Sequence, residues 1–163
     1  MTFVGGKDKN RHANKKSYGT RSDKSPVLGM KKRNGRLSAK QVPNITTETL
    51  SQEIIKNVKE GATLYTDKYS SYKSLQRIYD HQFLSTARQY VNGRVHTNTI
   101  ESFWAILKRG IVGVYHFTSK KHLQLYIDEF VLRYNSRTNT EASRFNLLLT
   151  NVDNRITYKE LIK

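Results

Sequence analysis

The sequence HTNTIESFWAILKRG, residues 96–110, carries a helical pattern from which the rest of the fold can be worked out. Apolar residues recur here at intervals of three and four, at Ile100, Phe103, Trp104, Leu107 and Ile111. This spacing predicts a helix from Asn98 to about Arg109 with one apolar face directed at a core. Trp104 and its apolar neighbours are therefore expected to be core residues.

Two charged residues of the same helix lie off the apolar face. Glu101 and Lys108 are seven residues apart, which is two turns less about 20°, so they share one side of the helix. A carboxylate for a metal ion and a cation for a DNA phosphate on one face suit a nuclease. The alternative is a capping box, with Asn98 as the N-cap and Glu101 as the reciprocal carboxylate.

The residues before this helix read as short strands and one further helix. Residues 2–6 resemble the end of a strand that meets a turn, and Asn34-Gly35 predicts a two-residue hairpin turn because both residues tolerate positive φ. The hairpin strands are expected at 26–30 and 36–42, followed by a helix from Thr46 or Thr47 to about Val58.

A second strand pattern ends at an acidic residue. Residues 62–66 are mostly apolar or β-branched, and Asp67 follows them directly. In open α/β sheets ligands bind at the carboxyl ends of strands, and a carboxylate there suits Mg²⁺. The alternative for Asp67 is a residue that only starts a turn.

The order of the predicted elements indicates one mixed α/β domain over residues 1–163, with a small sheet. After Asp67 we expect a short helix near 70–78, a strand over 81–86 and helices over 98–109, 119–134, 141–149 and 156–162. The helices from 119 onward form the C-terminal part of the domain. A Glu129–Arg133 pair is expected on the helix at 119–134.

The charge of the chain predicts a polyanionic partner. Lys and Arg number 29 against 13 Asp and Glu, which gives a formal net charge of +16. Twelve Lys or Arg and only two Asp lie between Lys7 and Lys40, and residues 7–24 read as a basic loop. Counterion release makes such a segment bind DNA in a salt-sensitive manner. The expected nucleic-acid contacts are Lys15, Lys16, Lys31, Lys32, Arg33, Lys108 and Arg109.

Composition also excludes several classes of protein. The chain has no cysteine, so it has neither disulfides nor cysteine-based zinc sites. No apolar run approaches the roughly 18 residues of a membrane helix, and the first residues show no secretion signal. We therefore expect a cytoplasmic protein with no membrane partner.

Residues 96–110 resemble the third catalytic block of ISXO-type insertion-sequence transposases of the DDE superfamily. Further similarities follow in order along the chain: Thr2 to Lys7 with the first strand and its Gly-Gly turn, Tyr65-Thr66-Asp67 and Ser71-Tyr72 with the second block, and residues 121–137 with the next helix. The resemblance implies an RNase H-like α/β fold with a mixed sheet, flanking helices, and two divalent metals, Mg²⁺ or Mn²⁺.

By this resemblance Asp67 is the second metal-binding acid, Glu101 the third, and Lys108 the basic partner of the third. Some relatives use Asn as the third ligand, so Asn98 competes with Glu101. The resemblance also implies cleavage and strand transfer of DNA, with transposon ends and target DNA as partners, and is compatible with a homo-oligomer.

One departure from the family pattern affects the expected activity. The family's first acid immediately precedes residues such as Thr2-Phe3-Val4-Gly5-Gly6, and here that place is Met1 or lies outside the sequence. We therefore expect a truncated copy or frameshifted fragment with an incomplete first strand that is inactive alone. The alternative is a basic nucleic-acid-binding protein, derived from a transposase, that has lost catalysis.

Overall fold

The computed structural model describes residues 1–5, 24–67, 69–84, 97–150, 152 and 157–162. Five strands lie in this part of the chain: β1 (Thr2–Val4), β2 (Ser25–Lys31), β3 (Leu37–Gln41), β4 (Thr63–Asp67) and β5 (Asp80–Leu84). The α-helices are α1 (Thr47–Asn57), α2 (Asn98–Gly110), α3 (Leu123–Asn135), α4 (Glu141–Leu149) and α5 (Tyr158–Ile162). A 3₁₀ helix spans Ser70–Arg77, and a π-helical segment, Ile111–Tyr115, continues α2. The predicted mixed α/β class is confirmed.

The described strands form two sheets, whereas the sequence predicted a single mixed sheet. One sheet is antiparallel with the order β1-β2-β3, and the other pairs β4 with β5 in parallel. β1 has only three residues and pairs with Val27, Pro26 and Ser25 of β2. Within the sheet, residues of β2 beyond Val27 therefore pair with β3 alone.

The β2–β3 hairpin is confirmed, but the predicted two-residue turn is wrong. The backbone N–H of Lys32 donates to the carbonyl of Arg36 at 3.1 Å, so residues 33–35 form a three-residue loop. A second bond, from the N–H of Gly35 to the carbonyl of Lys32 at 3.0 Å, closes a turn inside the loop. Asn34 has φ 52°, whereas Gly35 has negative φ, so only one residue uses the left-handed region.

Helices cover both faces of the antiparallel sheet. On one face, Val27 and Leu37 pack with Phe103, Trp104 and other apolar residues of α2 and α3. On the other face, a second cluster joins the sheet through Leu28 and Val42 to α1, the 3₁₀ helix and β4. The α2 stripe predicted from the 3.6-residue period therefore lies in the core, with Phe103 and Leu107 fully buried.

The outer edge of β3 is covered by α3 through two amide side chains. Asn135 accepts from the Leu37 N–H and donates to the Leu37 carbonyl, both at 2.8 Å. Gln124 accepts from the Gln41 N–H at 2.7 Å and donates to the Ala39 carbonyl at 3.3 Å. The helix thus satisfies backbone groups that an open edge strand would leave unpaired.

α3 begins at Leu123, not at Ser119 as predicted. Both the carbonyl and the hydroxyl of Ser119 accept from the His122 N–H at 3.3 Å, which makes residues 119–122 a turn that precedes the helix. The predicted Glu129–Arg133 pair is present at 2.6 Å. In the described residues, no helix is both long and apolar enough to cross a membrane.

Candidate metal site and nucleic-acid interface

Asp67 is the last residue of β4, as the sequence predicted, and its side chain is half-buried. One carboxylate oxygen, Oδ1, accepts from the Tyr69 N–H at 3.4 Å, so Asp67 also initiates the following turn. Its carbonyl accepts from the Thr66 hydroxyl at 2.8 Å, and His81 Nε2 lies 2.7 Å from the same hydroxyl. Because that hydroxyl donates to Asp67, His81 Nε2 is the donor to Thr66.

Glu101 lies in the first turn of α2 with an exposed side chain. The N-cap residue of the helix is Thr97, so the alternative interpretation of a capping box with Asn98 at the N-cap is wrong. The Thr97 hydroxyl instead donates to Glu101 Oε1 at 2.7 Å, and the Asn98 carbonyl accepts from Ser102. The carboxylate of Glu101 is thus held at the N-terminal end of α2, where the helix dipole favours negative charge.

The charges of all three residues predicted to form the site act on the amino group of Met1. Burial lowers the pKa of this amine, the negative charges of Asp67 and Glu101 raise it, and the positive charge of Lys108 lowers it. The three charged side chains therefore act on one point, although they come from β4 and from both ends of α2.

The donor set of this site is carboxylate oxygen, which suits Mg²⁺ or Mn²⁺. Met1 itself packs against the core cluster that contains Leu28 of β2 and Tyr72 of the 3₁₀ helix. Among the described residues, no three His, Asp or Glu side chains are grouped so that they could hold a metal ion together.

α2 packs closely against β2 because Gly29 of β2 has no side chain. A Cβ atom on Gly29 would lie 2.4 Å from the Trp104 ring and 2.9 Å from Ile100, so only glycine permits this close contact. The contact fixes the first turn of α2, which contains Glu101, against β2. Lys108 and Arg109 follow in the last turn of α2, and both are exposed.

The basic residues predicted to contact nucleic acid fall into two groups. Lys15 and Lys16 lie outside the described residues. Lys31, Lys32 and Arg33 lie at the β2–β3 turn, where Lys31 Nζ donates to the carbonyls of Lys32, at 3.1 Å, and of Gly35. The guanidinium carbon of Arg33 lies 4.6 Å from the centre of the Tyr65 ring, which brings the turn against β4.

Two features of this region could not be found from the sequence. Arg137 stacks on Tyr134 at 4.3 Å. Burial and, secondarily, the charge of Arg137 lower the pKa of the Lys31 amine, although 106 residues separate Lys31 from Arg137. The part-buried contact between His81 and Thr66 depends on the parallel pairing of β4 with β5. No local pattern predicts either contact, because each is created by tertiary packing.

Comparison with known proteins agrees with the sequence resemblance. Residues 1–135 match the family model of the ISXO2-like transposase domain. A protein of Haemophilus influenzae, described as an uncharacterized transposase-like protein, is 29% identical over 96 residues, which are 58% of this chain and 77% of the relative. No solved structure matches the chain.

Proposed function

Because the chain belongs to the ISXO2-like transposase domain family, we propose that it derives from a DNA-cleaving and DNA-joining domain in which Asp67 and Glu101 bind Mg²⁺ or Mn²⁺. The observation that carries the proposal is the shared action of both carboxylates on the Met1 amine. Two carboxylates whose charges both act on one point suit a divalent cation near that point.

Each residue of the site has a distinct part in this proposal. Asp67 is held by the end of β4, and its carbonyl is fixed by Thr66. Glu101 is oriented by the Thr97 hydroxyl. Lys108 is exposed on the last turn of α2 and would contact a phosphate of the DNA strand.

A bound divalent metal would supply polarisation of the phosphodiester and activation of the attacking water or 3′-hydroxyl. Family members of this type use three acids, whereas the described residues contain no group of three His, Cys, Asp or Glu that could hold a metal ion. We propose that the third belongs on the N-terminal side of Thr2, where the family pattern has its first acid. In support, the charges of Asp67 and Glu101 act against burial, which lowers the pKa of the Met1 amine, and raise that pKa. A residue added there would extend β1 from the pairing of Thr2 with Val27.

The second candidate function is non-catalytic nucleic-acid binding by the same domain. The lack of a three-acid group in the described residues favours it, because two-metal chemistry needs several carboxylate oxygens to hold two cations against their repulsion. The net charge of +16 supports DNA binding under both functions.

Nicking and strand transfer of supercoiled plasmid in Mg²⁺ or Mn²⁺ test the proposal. The chain as given is expected neither to nick DNA nor to join strands. Insertion of an Asp-Glu dipeptide immediately before Thr2 is expected to produce nicking. In the extended chain, Asp67→Asn or Glu101→Gln should then abolish it.

Asp80→Asn in the extended chain is the matched control, since Asp80 is an exposed carboxylate at the start of β5. It should leave nicking unchanged. Nicking by the unextended chain that is lost on Asp67→Ala would contradict the proposed third ligand, and would assign that role to another acid such as Asp8, which lies outside the described residues. Nicking that persists in both Asp67→Asn and Glu101→Gln would refute the site.

A further inference from the structure

His81 is a partly buried histidine that the proposed function does not use. It lies on β5, where it is paired with Leu64 of β4 in the parallel register. Its Nε2 lies 2.7 Å from the Thr66 hydroxyl, and that hydroxyl donates to the Asp67 carbonyl at 2.8 Å. Two consecutive hydrogen bonds therefore connect β5 to a proposed metal ligand.

The side chains of His81 and Asp67 belong to opposite faces of the β4–β5 sheet. Successive side chains of a strand alternate between the two faces, so Leu64 and Thr66 share one face and Asp67 takes the other. His81 contacts Thr66 on the first of these faces. It therefore acts on Asp67 through the backbone and is not itself a member of the proposed ligand set.

The bond from the Thr66 hydroxyl to the Asp67 carbonyl restrains the conformation of Asp67. The φ and ψ angles of Asp67 both lie between these two groups, so the bond limits rotation about each of them. Those angles set the direction of the Cα–Cβ bond and restrict the side-chain rotamers. Because His81 Nε2 donates to the hydroxyl oxygen, the single hydroxyl proton remains directed at the Asp67 carbonyl.

The surroundings of these bonds and the second ring nitrogen of His81 both bear on its role. Thr66 is only 8% exposed, and burial lowers the pKa of His81, which favours the neutral ring with one N–H. Nδ1 of His81 is buried and has no hydrogen-bond partner in the part of the chain that the structure describes. Since a buried polar atom without a partner destabilises a fold, packing alone would favour an apolar side chain here. The donation from Nε2 to Thr66 supplies a reason for a histidine.

We infer that His81 is a positioning residue of the candidate metal site: it holds the Thr66 hydroxyl on the Asp67 carbonyl and thereby keeps the Asp67 carboxylate in one orientation. The inference rests on the proposed function for the role of Asp67 as a metal ligand. It adds a residue of β5 to a site otherwise built from β4 and α2.

NMR of the isotope-labelled chain without metal tests the positioning directly. Long-range proton–nitrogen spectra are expected to show the Nε2–H tautomer of His81, and three-bond couplings to Cγ of Asp67 are expected to show a single χ1 rotamer. His81→Leu and Thr66→Val should each give couplings averaged over several rotamers. His81→Gln should keep the single rotamer, because a glutamine amide can donate from the position of Nε2.

His122→Leu is the matched control. His122 also has a buried ring nitrogen without a partner among the described residues, but its other ring nitrogen contacts Ser119, next to α3. This variant should leave the Asp67 couplings unchanged. An Nδ1–H tautomer of His81 would overturn the inference, because Nε2 could not then donate. Averaged couplings in the unsubstituted chain, a single rotamer retained in His81→Leu, or equal averaging in His81→Gln and His81→Leu would also overturn it.

Mn²⁺ binding, followed by electron paramagnetic resonance, gives a second measurement. Residues that orient a metal ligand contribute roughly 10–100-fold to affinity, so His81→Leu is expected to weaken Mn²⁺ binding about tenfold. The double variant Thr66→Val/His81→Leu should bind no more weakly than the weaker of the two single variants, because both substitutions break the same pair of hydrogen bonds. Circular dichroism checks that each variant is folded, and Thr66→Val tests the same bonds from β4 if His81→Leu does not fold.

The two measurements separate this inference from the proposed function. If Asp67→Asn leaves Mn²⁺ binding unchanged, the proposed metal site fails, while the couplings without metal still decide whether His81 orients Asp67. If Asp67→Asn weakens Mn²⁺ binding and His81→Leu does not, the proposed function stands and the positioning role of His81 is refuted.

Discussion

Asn135→Ala should destabilise the domain, because it removes the only side chain that bonds the backbone of Leu37 in the described structure. Two neutral hydrogen bonds contribute about 1 kcal/mol each, and leaving the N–H and carbonyl of a buried residue unpaired adds to the loss. Alanine is the better helix former at the last position of α3, which offsets roughly 0.5 kcal/mol. The net expected decrease in the free energy of unfolding is about 2 kcal/mol, or about 4–8 °C in Tm.

Urea unfolding followed by circular dichroism measures this change. Asn139→Ala is the matched control, since Asn139 is exposed in the turn after α3, and its expected change lies within about 0.5 kcal/mol. Asn135→Asp separates the two bonds, because it keeps an acceptor for the Leu37 N–H and sets a carboxylate against the Leu37 carbonyl. If Asn135→Ala costs less than about 0.5 kcal/mol, the amide bridge does not hold the hairpin to α3.

Gly110→Ala should lower the free energy of unfolding by about 1–3 kcal/mol, because the new Cβ would lie 2.0 Å from the Phe130 ring, whereas Gly113→Ala meets no atom within 4 Å and should cost less. Denaturant unfolding of both variants checks this, and equal costs would contradict the steric account. Lys108→Gln should reduce plasmid nicking by the extended chain without changing Tm, since Lys108 is exposed; unchanged nicking would exclude it from the site. Five basic residues predicted to contact DNA can be neutralised together: Lys15, Lys16, Lys31, Lys32 and Arg33. This change should make the log–log salt dependence of DNA binding less steep. An unchanged slope would place the contact surface elsewhere.

Elements with a one-sided apolar period could be predicted from the sequence. α2 lies where the recurrence from Ile100 to Ile111 placed it, because the same residues that define the period fill the core. α1 begins after Thr46, whose hydroxyl accepts from the Thr49 N–H as an N-cap should. Local chemistry and tertiary packing agree in both helices.

Boundaries set by competing local contacts were predicted less well. Thr97 caps α2 one residue earlier than Asn98, and its hydroxyl bonds Glu101 directly. The Asn34-Gly35 pair does mark the hairpin, but the bond from Lys32 to Arg36 adds a third loop residue. Sequence patterns cannot distinguish these alternatives, because each residue has suitable partners in both registers.

Contacts between residues that are distant in sequence explain the features that the sequence did not predict. Asp67 and Glu101 were predicted to form a site because Asp67 ends a strand, Glu101 lies off the apolar face of a helix, and both match the family resemblance. The sequence did not predict that the charges of both carboxylates would act on the Met1 amine. The amide bridge between Asn135 and Leu37 likewise joins residues that are 98 positions apart in sequence. Pairing of this kind follows from the packing of α3 along β3, which local patterns do not encode.

The most direct test of the central claim is a crystal structure of the extended chain with Mn²⁺, in which anomalous scattering locates the metal. The account predicts a Mn²⁺ peak bound by the carboxylates of Asp67 and Glu101, and, where two ions bind, a separation of about 3.5–4 Å. Absence of the peak in an Asp67→Asn crystal would support the assignment further. Carboxylates of Asp67 and Glu101 that face opposite sides of the domain, or a Mn²⁺ peak that touches neither, would contradict it.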